Sequence, residues 1–301
     1  MLRKPEPLKI NDPVGIFLPS SPIKEPFRAQ GLHALREMGL QPREVVAPLT
    51  GHDFFARQPE QSLADLQMFF ADPEIKALWA GRGGYGSNYL LPLLKGLEIK
   101  TPKIVIASSD ASYLLWYLME QLEMTVFYGP MVYGGLAAGC FNREQILAVL
   151  TGADAPLKIP GEILCAGRAK GIISGGCLSN FASLLGTPHL PAVIGKILLL
   201  EDINERPFRL DRLLWQCEQA GIFARINALL LGEFPGCFKD ENEKNIFYRR
   251  WQEKLAGRRI PVLFNMPLGH AGVAQLLPLG IEGEIDTSAY AGLVSREKGV
   301  C

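Results

Sequence analysis

Through the first half of the chain, short apolar runs alternate with stretches of helical spacing. Pro13-Val14-Gly15-Ile16-Phe17-Leu18 predicts a buried strand, closed by Pro19-Ser20-Ser21-Pro22. Residues 24–38 carry Phe27, Leu32, Leu35 and Met38 at helical spacing, and Gly39 stops them. A strand at Glu44-Val45-Val46, a helix over 60–71 ended by Asp72-Pro73, and a strand at Ala77–Ala80 follow. The pattern continues with a helix over Ser87–Leu94, a strand over 104–107, a helix over 111–121 and a short strand at Val126-Phe127-Tyr128. Such strand–helix alternation predicts a parallel sheet covered by helices.

The texture changes after Leu150. Thr151–Pro160 is polar and carries prolines, as a linker does. Beyond it, strand-like segments, several bordered by glycine, occur at Gly161–Cys165, Gly171–Ser174, Lys196–Leu200, Ala228–Leu231, Val262–Asn265 and Gly280–Ile285. Helical patterns occupy 177–185, 206–220 and 241–255. The expected organisation is a parallel α/β domain over 1–155 and a mixed α/β domain over 156–301, a division that 301 residues readily accommodate.

Composition narrows the function more than the fold. Lys+Arg and Asp+Glu balance at 31 each, so no charge excess asks for nucleic acid or an anionic membrane. Six cysteines, at 140, 165, 177, 217, 237 and 301, form no CxxC pair, and neither a structural zinc site nor any other metal or cofactor is expected. No run approaches the ~20 apolar residues of a membrane span, and the N-terminus has no apolar stretch of signal length. A soluble, cytoplasmic protein is expected.

Four histidines limit the choice of a base. His33 lies inside an amphipathic helix, His52 at a loop start and His189 in the turn Gly186-Thr187-Pro188-His189. His270 follows a strand-like run in the glycine-flanked loop Gly269-His270-Ala271-Gly272, which can project a side chain into a cleft. Ser109 sits where Ile104-Val105-Ile106-Ala107 runs straight into Ser108-Ser109-Asp110 and a helix, the carboxyl edge at which open α/β sheets bind ligands. The Asp110 N–H at the helix start can donate to an oxyanion. Ser109 or Asp110 can equally be a helix cap, and Ser108 competes for the nucleophile's role. Lys196–Leu200 ends in Glu201-Asp202, either a strand's exit into solvent or a carboxylate that orients a histidine. The order Ser109, Glu201, His270 is that of α/β-hydrolases, although Ala107 and Ala111 replace the glycines of their G-x-S-x-G elbow. Gly81, Gly83 and Gly86 spell GxGxxG, but after the third strand rather than the first. A tight turn, an oxyanion loop and a dinucleotide site of an oxidoreductase are the competing readings.

Taken in order, these residues resemble the LD-carboxypeptidases, the serine peptidase family that includes the muramoyl-tetrapeptide carboxypeptidases and the microcin-immunity peptidases. The resemblance is carried by Pro19-Ser20-Ser21-Pro22, Ala64-Asp65-Leu66 through Pro73, Arg82-Gly83-Gly84-Tyr85-Gly86 with Leu90-Leu91-Pro92, and Ser109-Asp110. It continues through Gly129-Pro130-Met131, Gly175-Gly176-Cys177-Leu178 with Leu185–Pro188, Leu200-Glu201-Asp202, Asp211-Arg212 and Gly269-His270. It implies a flavodoxin-like N-terminal domain, a mixed C-terminal domain, a site between them, and a homodimer. It also implies a Ser109–Glu201–His270 triad acting on an L,D-peptide bond and releasing terminal D-alanine from muropeptides in cell-wall recycling. Asp110 and Gly84 become candidate oxyanion donors, and Arg82 and Arg206 candidates for the substrate carboxylate. The chain departs from the family pattern at Ala107, Ser108, Ala111 and Ser112, and has Tyr128 where a histidine often precedes Gly-Pro-Met. Those departures leave room for a weakened relative that binds peptides or cleaves another acyl-amide.

Overall fold

The computed structural model describes residues 2–23, 25–45 and 54–301. The chain forms two compact units, Met1–Asp154 with Val273–Pro278 and Lys298–Cys301, and Ala155–Gly272 with Leu279–Glu297. The second unit is therefore not the continuous stretch 156–301 expected from the sequence.

The first unit contains β1 (Pro13–Phe17), α1 (Phe27–Glu37), β2 (Gln41–Glu44), α2 (Pro59–Ala71), β3 (Ala77–Ala80), β4 (Ile104–Ala107), α3 (Ser112–Gln121), β5 (Val126–Tyr128) and α4 (Arg143–Leu150). The strands run parallel in the order β5-β4-β3-β1-β2, the flavodoxin-like 2-1-3-4-5 arrangement. A sixth strand, Leu277–Leu279, joins beyond β5. Strands β3, β4 and β5 are buried at every residue, because helices cover both faces. Ile16, Trp79, Ile106 and Phe127 pack with Leu35 of α1 and Ile146 and Leu150 of α4. Gly15 faces the other side, where a Cβ would stand 2.7 Å from the Phe69 ring of α2.

Three sequence expectations are corrected here. The second strand is the polar edge segment Gln41–Glu44, fixed by pairing with Pro13–Ile16 rather than by its own apolarity; Val45 lies beyond it and Val46 outside the described residues. The helix expected over Ser87–Leu94 is two 3₁₀ turns, Ser87–Leu90 and Leu94–Gly96, interrupted around Pro92, which has no N–H to continue a helix. Helix α4 also lies in a stretch where the sequence pattern predicted no element.

The second unit follows with β6 (Lys158–Pro160), β7 (Glu162–Cys165), β8 (Arg168–Cys177), α5 (Leu178–Ser183), β9 (Ile197–Glu201), α6 (Pro207–Gln219), β10 (Ala228–Gly232), α7 (Glu241–Leu255) and β11 (Val262–Met266). After β12, the Leu277–Leu279 strand of the first sheet, come β13 (Glu282–Asp286) and β14 (Tyr290–Ser295). Their order is β6-β14-β13-β8-β9-β10-β11-β7. The four central strands β8 to β11 are parallel and the flanking strands antiparallel. Strand β8 serves both halves. Arg168–Ile172 pairs with β13, and the fully buried Ile173–Cys177 pairs with β9. Trp251, Phe181 and Phe223 are the largest buried side chains of this unit. Among the described residues, no helix is long and apolar enough to cross a membrane.

Candidate active site

In the first unit the candidate residues gather at the carboxyl ends of β1, β3, β4 and β5, where loops leave parallel strands side by side. Ser109 opens a 3₁₀ turn between β4 and α3 with φ of +53°. This left-handed conformation costs a non-glycine residue about 1 kcal/mol or more, so surrounding contacts must hold it. They act on both of its peptide groups. The Ser109 N–H donates to Tyr128 Oη at 3.2 Å, and the Ser112 hydroxyl donates to the Ser109 carbonyl at 2.6 Å.

Asp110 is buried, and its carboxylate ties three loops together. Oδ2 accepts from Ser20 Oγ at 2.7 Å and from the Ser87 N–H at 2.8 Å. The Ser87 hydroxyl donates in turn to the Asp110 carbonyl. Ser21 fixes the glycine loop: its Oγ accepts from the Tyr85 N–H at 3.0 Å and its N–H donates to the Gly83 carbonyl at 3.3 Å. The Pro-Ser-Ser-Pro turn thus clamps both the Ser109 turn and the loop beside it. Neither Ser20 nor Ser87 stood out in the sequence as a site residue; the one available signal was the pair of serines following a buried strand.

Neighbours crowd each glycine of residues 81–86, Gly83 least. A Cβ on Gly81 would meet Leu18 and Tyr133, and one on Gly86 would meet Phe55. On Gly84, at φ +113°, it would lie 2.3 Å from Ser21 Oγ; on Gly83 it would lie 3.1 Å from Ser109 Oγ. Close packing therefore accounts for the GxGxxG spelling without a dinucleotide. Arg82 donates to the Pro22 carbonyl at 2.6 Å. Tyr85, Tyr89 and Phe54 form an exposed cluster of rings with Phe55 on the outer side of this loop.

In the second unit, three adjacent parallel strands bring their carboxyl ends together. Glu201 ends β9, Gly232 ends β10, and His270 lies in the loop after β11. Glu201 is fully buried, and its Oε2 stands 2.7 Å from His270 Nδ1 and accepts the His270 backbone N–H at 3.1 Å. The sequence pair Gly-His has a steric reason. Gly269 has φ of +73°, and a Cβ there would lie 2.2 Å from the Glu201 carboxyl carbon. Gly232 leaves room on another side, where a Cβ would come within 2.6 Å of Glu201 Cβ. Glu233 steadies the loop by accepting the Gly272 N–H at 3.0 Å. Gly232 and Glu233 were not singled out in the sequence, where they read only as a strand's end.

The electrostatics of this corner follow from burial and pairing. Burial alone would lower the His270 pKa, but the Glu201 charge, the Glu201 hydrogen bond and the Asp202 charge outweigh it, leaving a net value above the ordinary 6.5. Asp202 is raised by burial and then by Glu201, although the N–H groups of Ile203 and Ser179 each donate to it at 2.9 Å. The Cys177 thiol, opposite Glu201 in the strand register, is pushed well up by burial and by Asp202 and Glu201, so it is not a thiolate at neutral pH. Of the other histidines, His33 is exposed beside Glu37, His189 lies in a surface turn, and His52 is outside the described residues. Arg206 is exposed at the start of α6.

A flavodoxin-like sheet with a serine on a strained strand-to-helix turn, and a parallel sheet with a buried carboxylate on a histidine, define a two-unit α/β protein of hydrolytic class. Residues 14–129 match the LD-carboxypeptidase N-terminal domain and residues 170–285 the LD-carboxypeptidase C-terminal domain. The chain belongs to the LD-carboxypeptidase family. It is 33% identical to the murein tetrapeptide carboxypeptidase of Pseudomonas aeruginosa over 242 residues, covering 75% of this chain and 78% of that one. It is 26% identical to the microcin C7 self-immunity protein MccF of Escherichia coli, covering 93% and 92%. A crystal structure of muramoyltetrapeptide carboxypeptidase from Oxalobacter formigenes superposes with a TM-score of 0.80 at 25% identity, covering 94% of this chain and 97% of that one. The chain is accordingly a carboxypeptidase, and the dinucleotide oxidoreductase is not the favoured reading.

Proposed function

We propose that this protein is a serine-type LD-carboxypeptidase that releases the terminal D-alanine of a murein tetrapeptide through an acyl-enzyme on Ser109. The observation that carries the reading is the 2.7 Å contact between the buried Glu201 carboxylate and His270 Nδ1. A carboxylate on Nδ1 fixes the tautomer in which Nε2 is the base.

In the proposed reaction Ser109 Oγ attacks the carbonyl carbon of the scissile amide and passes its proton to His270 Nε2. The resulting oxyanion takes hydrogen bonds from the N–H groups of Asp110 and Gly84, each worth about 3 kcal/mol in such sites. The C–N bond then breaks, the imidazolium returns the proton to the departing amine, and D-alanine leaves. Water, deprotonated by the same imidazole, hydrolyses the ester and frees Ser109. Arg82 and Arg206 are the proposed holders of the substrate's terminal carboxylate. Arg82 already donates to Pro22, so its part in binding would use its remaining donors. The murein substrate is supported by the names of the Pseudomonas and Oxalobacter relatives.

The test is D-alanine release from a murein tetrapeptide by purified wild-type, Ser109→Ala and His270→Ala proteins. Each variant is expected to lose activity by about 10³-fold or more. Release by Ser109→Ala at the wild-type rate would sink the assignment. The proposal includes a cytoplasmic homodimer, which sedimentation of the purified protein and fractionation of its host cells check.

A further inference from the structure

We infer that Tyr128 is a positioning residue for the nucleophile: its phenol oxygen accepts the Ser109 N–H and holds the strained turn in its reactive shape. The inference rests on Ser109 being the nucleophile.

The geometry is specific. Tyr128 ends β5 and pairs in register with Ala107, two residues before Ser109 on the neighbouring strand. Its side chain is fully buried and its ring is fixed by the surrounding core. The 3.2 Å hydrogen bond from that N–H meets a residue at φ +53°, a conformation a serine adopts only when its surroundings impose it. On the other side of the same residue, the Ser112 hydroxyl and the Ser112 N–H both donate to the Ser109 carbonyl. The carbonyl is thus held from within its own helix start, while the N–H is held across strands, and this second hold ties Ser109 to the neighbouring strand of the sheet. Gly83 leaves its Cα hydrogens rather than a methyl beside Ser109 Oγ, so packing on that side is close. Tyr128 neither gives nor takes a proton in the proposed reaction. It acts through Ser109, by keeping Oγ where attack needs it.

The experiment compares wild-type, Tyr128→Phe and Tyr128→His proteins on a murein tetrapeptide, with rates scaled to the folded fraction from circular dichroism. Tyr128→Phe removes one buried oxygen and keeps the ring. The expected result is kcat lower by about tenfold and KM within about twofold. Tyr128→His, which can offer a ring nitrogen to the same N–H, should recover at least part of the loss. Wild-type kcat in Tyr128→Phe, or a loss that Tyr128→His leaves unrelieved, overturns the inference. Ser109→Ala is measured alongside. If that variant stays active, the nucleophile is misassigned; if it is inactive while Tyr128→Phe is normal, only the role of Tyr128 fails.

Discussion

The proposed mechanism makes the pH response a matter of His270 and the carboxylates beside it. As a base His270 must be neutral, and its pKa is raised above 6.5 because Glu201 and Asp202 outweigh the effect of burial. Activity should therefore rise with pH along an acid limb centred above 6.5. Glu201→Gln removes the charge and leaves the burial, so the limb should move to lower pH while kcat falls, by about 10⁴-fold if the residue matters as the acid of comparable triads does. A pH–rate profile of the two proteins checks both the direction and the loss. The same raised value bears on stability: the pair's contribution is complete below the unfolded-state pKa and is lost as pH rises through the folded-state value. Gly269→Ala probes the pair sterically. A Cβ 2.2 Å from the Glu201 carboxyl carbon, on a backbone at φ +73°, should displace the carboxylate. About 2 kcal/mol or more of stability should go with the activity, as urea unfolding would measure.

The elements matter through their carboxyl ends. Strands β1, β3, β4 and β5 each deliver one piece of the surroundings of Ser109, and the Asp110 carboxylate joins the pieces from β1 and β3 to that from β4. Asp110→Ala leaves the Ser20 hydroxyl and the Ser87 N–H without that acceptor, a cost of about 1–3 kcal/mol for each buried group. The variant should lose thermal stability together with activity. Gly83→Ala is the complementary case. Its Cβ would meet Ser109 Oγ at 3.1 Å and Met131 Cε at 3.0 Å, so neighbours need yield only slightly. Rate should suffer more than stability, and kcat compared with the unfolding midpoint distinguishes the two. Sequence periodicity found β3, β4 and β5 because strands covered on both faces are apolar throughout. It misplaced β2 because an edge strand is chosen by its partner, β1, and Gln41–Glu44 has no apolar pattern of its own.

At the scale of the whole chain, the C-terminal residues return to the first unit. Val300 is buried in the core with Leu8, Leu150 and Phe127, and the Cys301 N–H donates to the Pro5 carbonyl at 3.0 Å. Leu276 lies in the same core, next to the sixth strand of that sheet. A fragment ending at residue 155 lacks all of these and should be markedly less stable than the first unit of the intact protein. Deleting Lys298–Cys301 from the full chain should lower the melting temperature by several degrees, since burying one valine is worth about 1.5–3 kcal/mol. Calorimetry of the two proteins tests this.

The sequence by itself determined the alternating α/β pattern, the buried strands, the turn that carries Ser109 and the family to which the chain belongs. Those features depend on local spacing and short motifs, which a linear reading preserves. The contact of Glu201 with His270 joins residues 69 positions apart, and the contact of Ser20 with Asp110 joins residues 90 apart. Glu201-Asp202 could have been a strand's exit into solvent, and Asp110 a simple cap. Only the parallel ordering of strands buried those carboxylates and set donors against them. Tertiary structure likewise turned Tyr128, a departure from the family pattern in the sequence, into the partner of the Ser109 N–H. It also recruited the last residues of the chain to the first core. Neighbouring strand ends are close in space for reasons of sheet order, and sheet order is fixed by packing and pairing across the whole fold.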